Sequence, residues 1–284
     1  MQRRTLLQWL AGAAASTAAG VSIPSVARAA EAALSGRRIE RIGIQLYTVR
    51  ALLERNFDDT LRALGAAGYR EVEFAGWYGR TPAQLREALR GARLTAPSAH
   101  VDVAELRRDA AGVMGAHAEA GFRYVIVPWL NVDDRRTLDD WRRRADEFTA
   151  FAEVARRAGV TFAYHNHEFE FTPIDGVLPM EVLATRTDPV LVKLELDLYW
   201  TVAAGASPVK WITRWPGRVV AVHVKDRSAD GTMVDVGQGT IPFGELLRVA
   251  RANGLRHWFV EHDNPADPMA SAIESHNWLA KLKL

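Results

Sequence analysis

Residues 161–171 read TFAYHNHEFEF: an apolar lead-in, then two histidines, an asparagine and two glutamates within seven positions. Imidazole and carboxylate groups move protons near neutral pH and bind divalent metals without sulfur. Similar groups follow other short apolar runs. Glu73 closes YREVEF, His100 closes LTAPSAH, Asp197 closes VLVKLELD, His223 and Lys225 close VVAVHVK, and Glu261 follows WFV. A lone histidine in a strand is more often a satisfied core residue than a ligand. His, Asp, His and Glu at the ends of four successive apolar runs is a different matter, because chance seldom places them so.

The elements that must position these groups follow one recurring unit. A helical stretch stops at Gly and a short β-branched or aromatic run begins at once: AAGYREVEF (66–74), EAGFRYVIV (119–127), RAGVTFAYH (157–165), PGRVVAVHV (216–224) and ANGLRHWFV (252–260). Glycine stops a helix in a left-handed cap, and the apolar run starts a buried strand. RIGIQLY (41–47), LTAPSAH (94–100) and VLVKLELD (190–197) bring the strands to eight. Amphipathic stretches predict helices over 57–67, 82–91, 103–120, 134–158, 178–186, 207–215, 243–253 and 268–282. Eight strand–helix repeats in about 250 residues predict an α/β fold, a (β/α)8 TIM barrel, over residues 40–284 as a single domain. A doubly wound sheet would carry a Gly-rich phosphate turn after its first strand, and GIQLYTVR has none.

Such barrels place catalytic groups at the C-terminal ends of their strands. Alternation then assigns faces. Val192, Leu194 and Leu196 point one way and Glu195 and Asp197 the other; Val220, Val222 and Val224 face the helices while His223 and Lys225 share the opposite face; Val260 opposes Glu261. The histidines of TFAYHNHEFEF then belong to a ring of groups on one barrel mouth. His117, His257 and His276 fall elsewhere and read as structural. Tyr47, Trp77, Trp129 and Trp200 stand near strand ends, where an aromatic face can stack on a sugar. Gly237-Gln238-Gly239, before a helix, is the one candidate turn for an anion.

Residues 1–29 read as an export signal. Arg3-Arg4 precede an alanine-rich apolar run and Ala27-Arg28-Ala29 is a small-x-small cleavage pattern, which suggests the twin-arginine route, a periplasmic mature form, and no stable membrane anchor after cleavage. Residues 30–39 make a short linker. Removing 1–29 takes away Arg3, Arg4 and Arg28 and no acid, so the chain's 36 basic residues fall to 33 against 34 acids. No nucleic-acid surface is implied. The chain has no cysteine, which excludes disulfides and zinc–thiolate sites. The oligomeric state is left open.

The stretches GIQLYTVR, YREVEF, YHNHEFEF, LELDLYW, PGRVVAVHVKD, VGQGTIPF and WFVEHD resemble the xylose isomerase-like TIM barrels, the sugar phosphate isomerase/epimerase family that also holds inosose dehydratases and endonuclease IV-type enzymes. The resemblance implies one divalent metal, Mn²⁺, Mg²⁺, Co²⁺ or Zn²⁺, held by strands five to eight. Related epimerases use Glu, Asp, His and Glu; Asp197, His223 and Glu261 match the last three, and His165 stands where the first glutamate would be. Whether His165, His167 or Glu170 completes the set stays open. The metal expectation is written with His165, the catalytic one with Glu261, His167 and Lys225, and the substrate-binding one with Glu73, His100, Trp200 and Tyr47. The implied activity is isomerisation or epimerisation of a small carbohydrate by proton abstraction beside a carbonyl. The strand-five histidines raise elimination, as in a lyase or dehydratase, as the alternative, and a non-catalytic periplasmic sugar-binding protein is the second.

Overall fold

The computed structural model describes residues 38–284, so the expected signal at 1–29 and most of the 30–39 linker lie outside the described residues. Eight parallel strands close into a barrel: β1 Gly43–Gln45, β2 Glu71–Phe74, β3 Thr95–His100, β4 Tyr124–Val127, β5 Thr161–His165, β6 Val192–Asp197, β7 Val219–Val224 and β8 His257–Val260. Each pairs with its sequence neighbours, and β1 pairs with β8 to complete the ring. Helices lie between the strands, so the fold is the predicted (β/α)8 barrel in one domain.

Local chemistry accounts for the boundaries. The helix Leu138–Ala158 begins in a capping box, Thr137 and Asp140 bonding each other's backbone N–H, which starts it four residues later than the predicted 134. It ends at Gly159, whose φ of 83° is left-handed, and β5 starts two residues on. Pro179, Pro208 and Pro268 open three other helices at their first turn, where the missing N–H costs nothing. Two short helices, Arg50–Arg55 and Leu198–Ala203, go beyond the predicted set. They are too short to show a helical period.

The main core lies between the strands and the helices. Val72, Phe74, Val125, Val127, Leu194, Leu196, Val222 and Val224 fill it from the sheet side. Inside the barrel, Tyr124, Ile126, Ala163 and Val220 form a separate buried cluster. The membership of Val220 corrects the expectation that it faces the helices. Leu194 pairs with Val219 but Glu195 with Ala221, an irregularity that puts one extra residue into β7 and turns Val220 inward. Beyond it the alternation holds, with Asp197 opposite His223.

Candidate active site at the C-terminal mouth of the barrel

The C-terminal strand ends converge on a cavity of about 560 Å³, a size suited to a small ligand. His165 from β5, Lys225 just past β7 and Glu261 after β8 line it, and Asp197 from β6 and His223 from β7 are buried against them. Asp197, His223 and Glu261 offer one ligand atom each, all within 4.8 Å of one another. His223 Nδ1 lies 2.6 Å from Glu261 Oε2 and 3.9 Å from Asp197 Oδ2. His165 Nε2 lies 3.8 Å from the same Asp197 oxygen.

Asp197 does two things at once. Its Oδ1 accepts from Trp200 N at 2.8 Å, capping the helix Leu198–Ala203. Its Oδ2 faces the cluster, where its nearest partner is a cation. Lys225 Nζ sits 3.1 Å from that oxygen, 2.8 Å from Glu261 Oε2 and 2.8 Å from Asp263 Oδ1. Two buried carboxylates and an imidazole nitrogen converging on a point already favourable to a cation fit a divalent ion with oxygen and nitrogen ligands.

The charges follow from this crowding. Burial pulls the His223 imidazole down, but Glu195 and Glu261 outweigh it and hold the ring well above its ordinary range. Burial also opposes the Lys225 ammonium; Asp197, Glu261 and Asp263 overcome it and keep the lysine charged. Burial pushes Asp197 up to about 6 against the pull of Lys225 and His223. His165 is pulled down to about 3 by burial and by His223.

The expected residues divide into layers. His165, His167, His100, Lys225, Glu261 and Tyr47 line the cavity. Trp200 stands behind the rim, 5.6 Å from the His167 ring and 5.9 Å from Lys225 Nζ. Glu73 is fully buried beneath the mouth, where Gln45 Nε2 donates to its Oε1 at 2.7 Å and His223 Nε2 lies at the same distance. Of the three strand-five alternatives, Glu170 turns away: the Tyr164 hydroxyl and His167 N donate to its carboxyl, and it holds the loop that carries His167. His167 packs edge-on against Trp129, 4.8 Å between centroids, with Nδ1 buried and without a partner. His117 bonds Val113 O within its helix and His257 bonds Glu71, away from the mouth.

One functional group goes beyond the expected set. Glu195, two residues before Asp197 on the same face of β6, is fully buried and contacts His100, His165 and His223. The signal was its alternation with Asp197; its place one layer below the strand end hid it. The Gly237-Gln238-Gly239 turn holds an anion of its own. Gly237 N and Gly239 N both donate to Asp226 Oδ2, at 2.8 and 3.0 Å. A Cβ at Gly239 would collide with that carboxylate. The turn is therefore filled from within the chain and offers nothing to a phosphate.

Residues 61–282 match the family model described as the xylose isomerase-like TIM barrel. The chain belongs to that family. An inosose dehydratase from Lacticaseibacillus casei is 25% identical over 268 residues, covering 80% of this chain and 89% of that protein. The crystal structure of a sugar phosphate isomerase/epimerase from Parabacteroides distasonis superposes with a TM-score of 0.76 and 25% identity, covering 86% of this chain and 98% of the other. The IOLI protein, solved with a bound zinc atom, has a TM-score of 0.66 at 17% identity over 84% of this chain and 96% of its own; at that identity the likeness is one of fold. With the family and the buried site together, the chain is an enzyme of isomerase/epimerase or dehydratase type.

Proposed function

We propose that the enzyme removes a proton beside the carbonyl of an uncharged sugar or cyclic keto-polyol, with β-elimination of water or an aglycone as the outcome the site supports best. The observation that carries this reading is the one-sidedness of the mouth. Glu261 and Asp197 stand together beside Lys225, while the β5 side presents His165 and His167 and no carboxylate aimed at the cavity. Asp197, His223, Glu261 and His165 would hold a divalent ion, which supplies polarisation of a carbonyl oxygen when bound. His167 is kept neutral because burial, His165 and Lys225 pull its proton affinity down, and its ring lines the cavity, where Nε2 would accept the carbon-bound proton. The electron pair of that C–H bond forms the new double bond as the C–O bond at the next carbon breaks. Lys225, held charged, is placed to donate to the oxygen that leaves or gains charge.

The substrate class follows from the lining. Asp102, Glu105, Glu261 and Asp263 border the cavity, and its one lysine is already paired with three carboxylates. Hydroxyl groups find acceptors there, and no cation of the lining is left without a carboxylate partner to take a phosphate. Tyr47 and Trp129, 42% and 44% exposed, offer flat faces to a ring. Epimerisation or isomerisation is the second reading, favoured by the family, with His167 and Glu261 as its acid/base groups.

The test is a screen of keto-sugars, inososes and 3-keto-glycosides in D₂O with metal-loaded enzyme. Loss of water or an aglycone supports elimination; an isomer of equal mass carrying solvent deuterium supports epimerisation; no turnover of any member, with metal bound, sinks both. Lys225→Met should keep the metal and lower the rate by about 10²–10⁴. The same rate would make the lysine structural. The reading includes a periplasmic site of action, resting on residues 1–29 alone. Precursor held in the cytoplasm when Arg3 and Arg4 are both changed to lysine supports the twin-arginine route, and unchanged export overturns it.

A further inference from the structure

We propose that Glu195 is a positioning residue that decides which ring nitrogen His165 and His223 each turn toward Asp197 and Glu261. The inference rests on the reading of those residues as a metal centre.

The geometry is that of one oxygen shared by three rings. Glu195 Oε2 lies 2.8 Å from His100 Nε2, 3.2 Å from His165 Nδ1 and 3.2 Å from His223 Nε2. For His165 and His223 the contact leaves the other nitrogen to the acids of the mouth. With Nδ1 of His165 turned down to Glu195, its Nε2 points up toward Asp197. With Nε2 of His223 turned down, its Nδ1 points up toward Glu261 and Asp197. A ligating imidazole must offer a lone pair at one nitrogen and carry its proton on the other. A buried carboxylate at the second nitrogen fixes that choice and the plane of the ring.

Strand architecture explains how one side chain serves both rings. Glu195 and Asp197 lie at i and i+2 of β6, so they share its inner face one layer apart. Glu195 pairs in register with His165 on the β5 side, and Asp197 with His223 on the β7 side. The upper acid therefore sits among the nitrogens that face the mouth and the lower acid among those that face away. Glu73 contributes from the opposite wall. Its Oε1 lies 2.7 Å from His223 Nε2 and 3.1 Å from His100 Nε2, but it forms no ion pair with His165. Glu195 alone among the described carboxylates holds both candidate ligand rings by the nitrogens that face away from the mouth.

The substitution that probes this is Glu195→Gln. Its amide keeps the shape but presents one oxygen and one NH₂. With its oxygen in the place of Oε2 it is a neutral and weaker acceptor for the ring N–H groups than the carboxylate, and an NH₂ turned to a ring nitrogen forces the opposite tautomer. Zinc affinity, measured by competition with a chromogenic chelator, should fall about 10–100-fold. Ring ¹⁵N shifts of the zinc-loaded wild type should show His223 bound through Nδ1 and His165 through Nε2, and Glu195→Gln should scramble the pattern for both. Glu73→Gln should disturb His223 and leave His165 unchanged. Wild-type affinity and an unchanged nitrogen pattern in folded Glu195→Gln would overturn the proposal. If that variant does not fold, the wild-type pattern decides: binding through His223 Nε2 or His165 Nδ1 overturns it equally. Failure of the wild type to bind zinc, manganese, cobalt or magnesium is a separate result, which removes the metal reading. In that event the metal-free protein tests the positioning, since His165 carrying its proton on Nδ1 supports the role of Glu195 and a proton on Nε2 overturns it.

Discussion

The two ends of the barrel treat their ionisable groups differently. At the N-terminal floor, cations near the strand starts donate mainly to backbone, and buried Glu71 is paired by Arg41 and His257. Arg218, buried, donates to Val192 O at 2.9 Å, to Ala184 O at 2.8 Å and to Thr187 Oγ1. Lys193 donates to Pro189 O, and Arg70 to Tyr69 O. Ala184 O lies in the last turn of its helix and Tyr69 O two residues past the end of another, where the helix dipole also favours positive charge. At the mouth, charged side chains face one another, and Glu73 Oε2 and Glu195 Oε1 are left without hydrogen-bond partners. Charge that is satisfied by backbone serves the fold. Charge that is crowded, buried and partly unsatisfied is maintained against the fold's interest, and in a barrel that is the mark of the catalytic face.

The comparison breaks most visibly at Glu261. Glu261→Gln removes a candidate ligand and the neighbour of Lys225 in one step, so turnover of any accepted keto-sugar should fall about 10²–10⁴-fold, and metal content should fall with it. Its thermal stability should fall only modestly: Lys225 and His223 hold the Glu261 carboxyl well below its ordinary range, so some pairing is lost, but Lys225 keeps Asp197 and Asp263 as partners. A large loss of stability would mean that the mouth is a structural ion-pair network and not a strained site.

The converse substitution is Arg218→Met at the floor. It leaves buried carbonyls without their donor, at a cost of roughly 1–3 kcal/mol for a group so orphaned, and denaturant unfolding should show it. Metal affinity and turnover of the folded fraction should match the wild type. Loss of metal binding in Arg218→Met would deny the separation between the two ends.

The same contrast explains what could be read without coordinates. Asp197, His223 and Glu261 were legible because alternation places them on the inner face and the apolar runs end beside them. Glu195 obeys the same alternation, but strand-end reasoning looks one layer too high. The inward turn of Val220 depends on register between β6 and β7, which no single strand encodes. Asp226 and the turn at 237–239 lie a loop apart in sequence. The turn's affinity for an anion was legible, but its occupant was not. Glu170 looked like a ligand by type and distance along the chain, and only the hydroxyl of Tyr164, six residues earlier, shows that it faces inward.

Glu170 provides the smallest and most discriminating test, because it supports the mouth while living in the core. Burial pushes its carboxyl up to about 8 from an ordinary 4.5, against the hydrogen bonds from Tyr164 and His167. The folded protein therefore binds this proton more tightly than the unfolded chain does. The stability that goes with it is fully present below pH 4.5 and is lost as pH rises through about 8. Glu170→Gln has no such proton to lose. Its melting temperature minus that of the wild type should rise steadily between pH 5 and pH 8.5 and level off above. Titrations elsewhere, including Asp197 at about 6, occur in both proteins and largely cancel in the difference. A difference that stays flat across this range would show the carboxyl ionised throughout. Glu170 would then be another strained charge of the mouth rather than a neutral strut behind it.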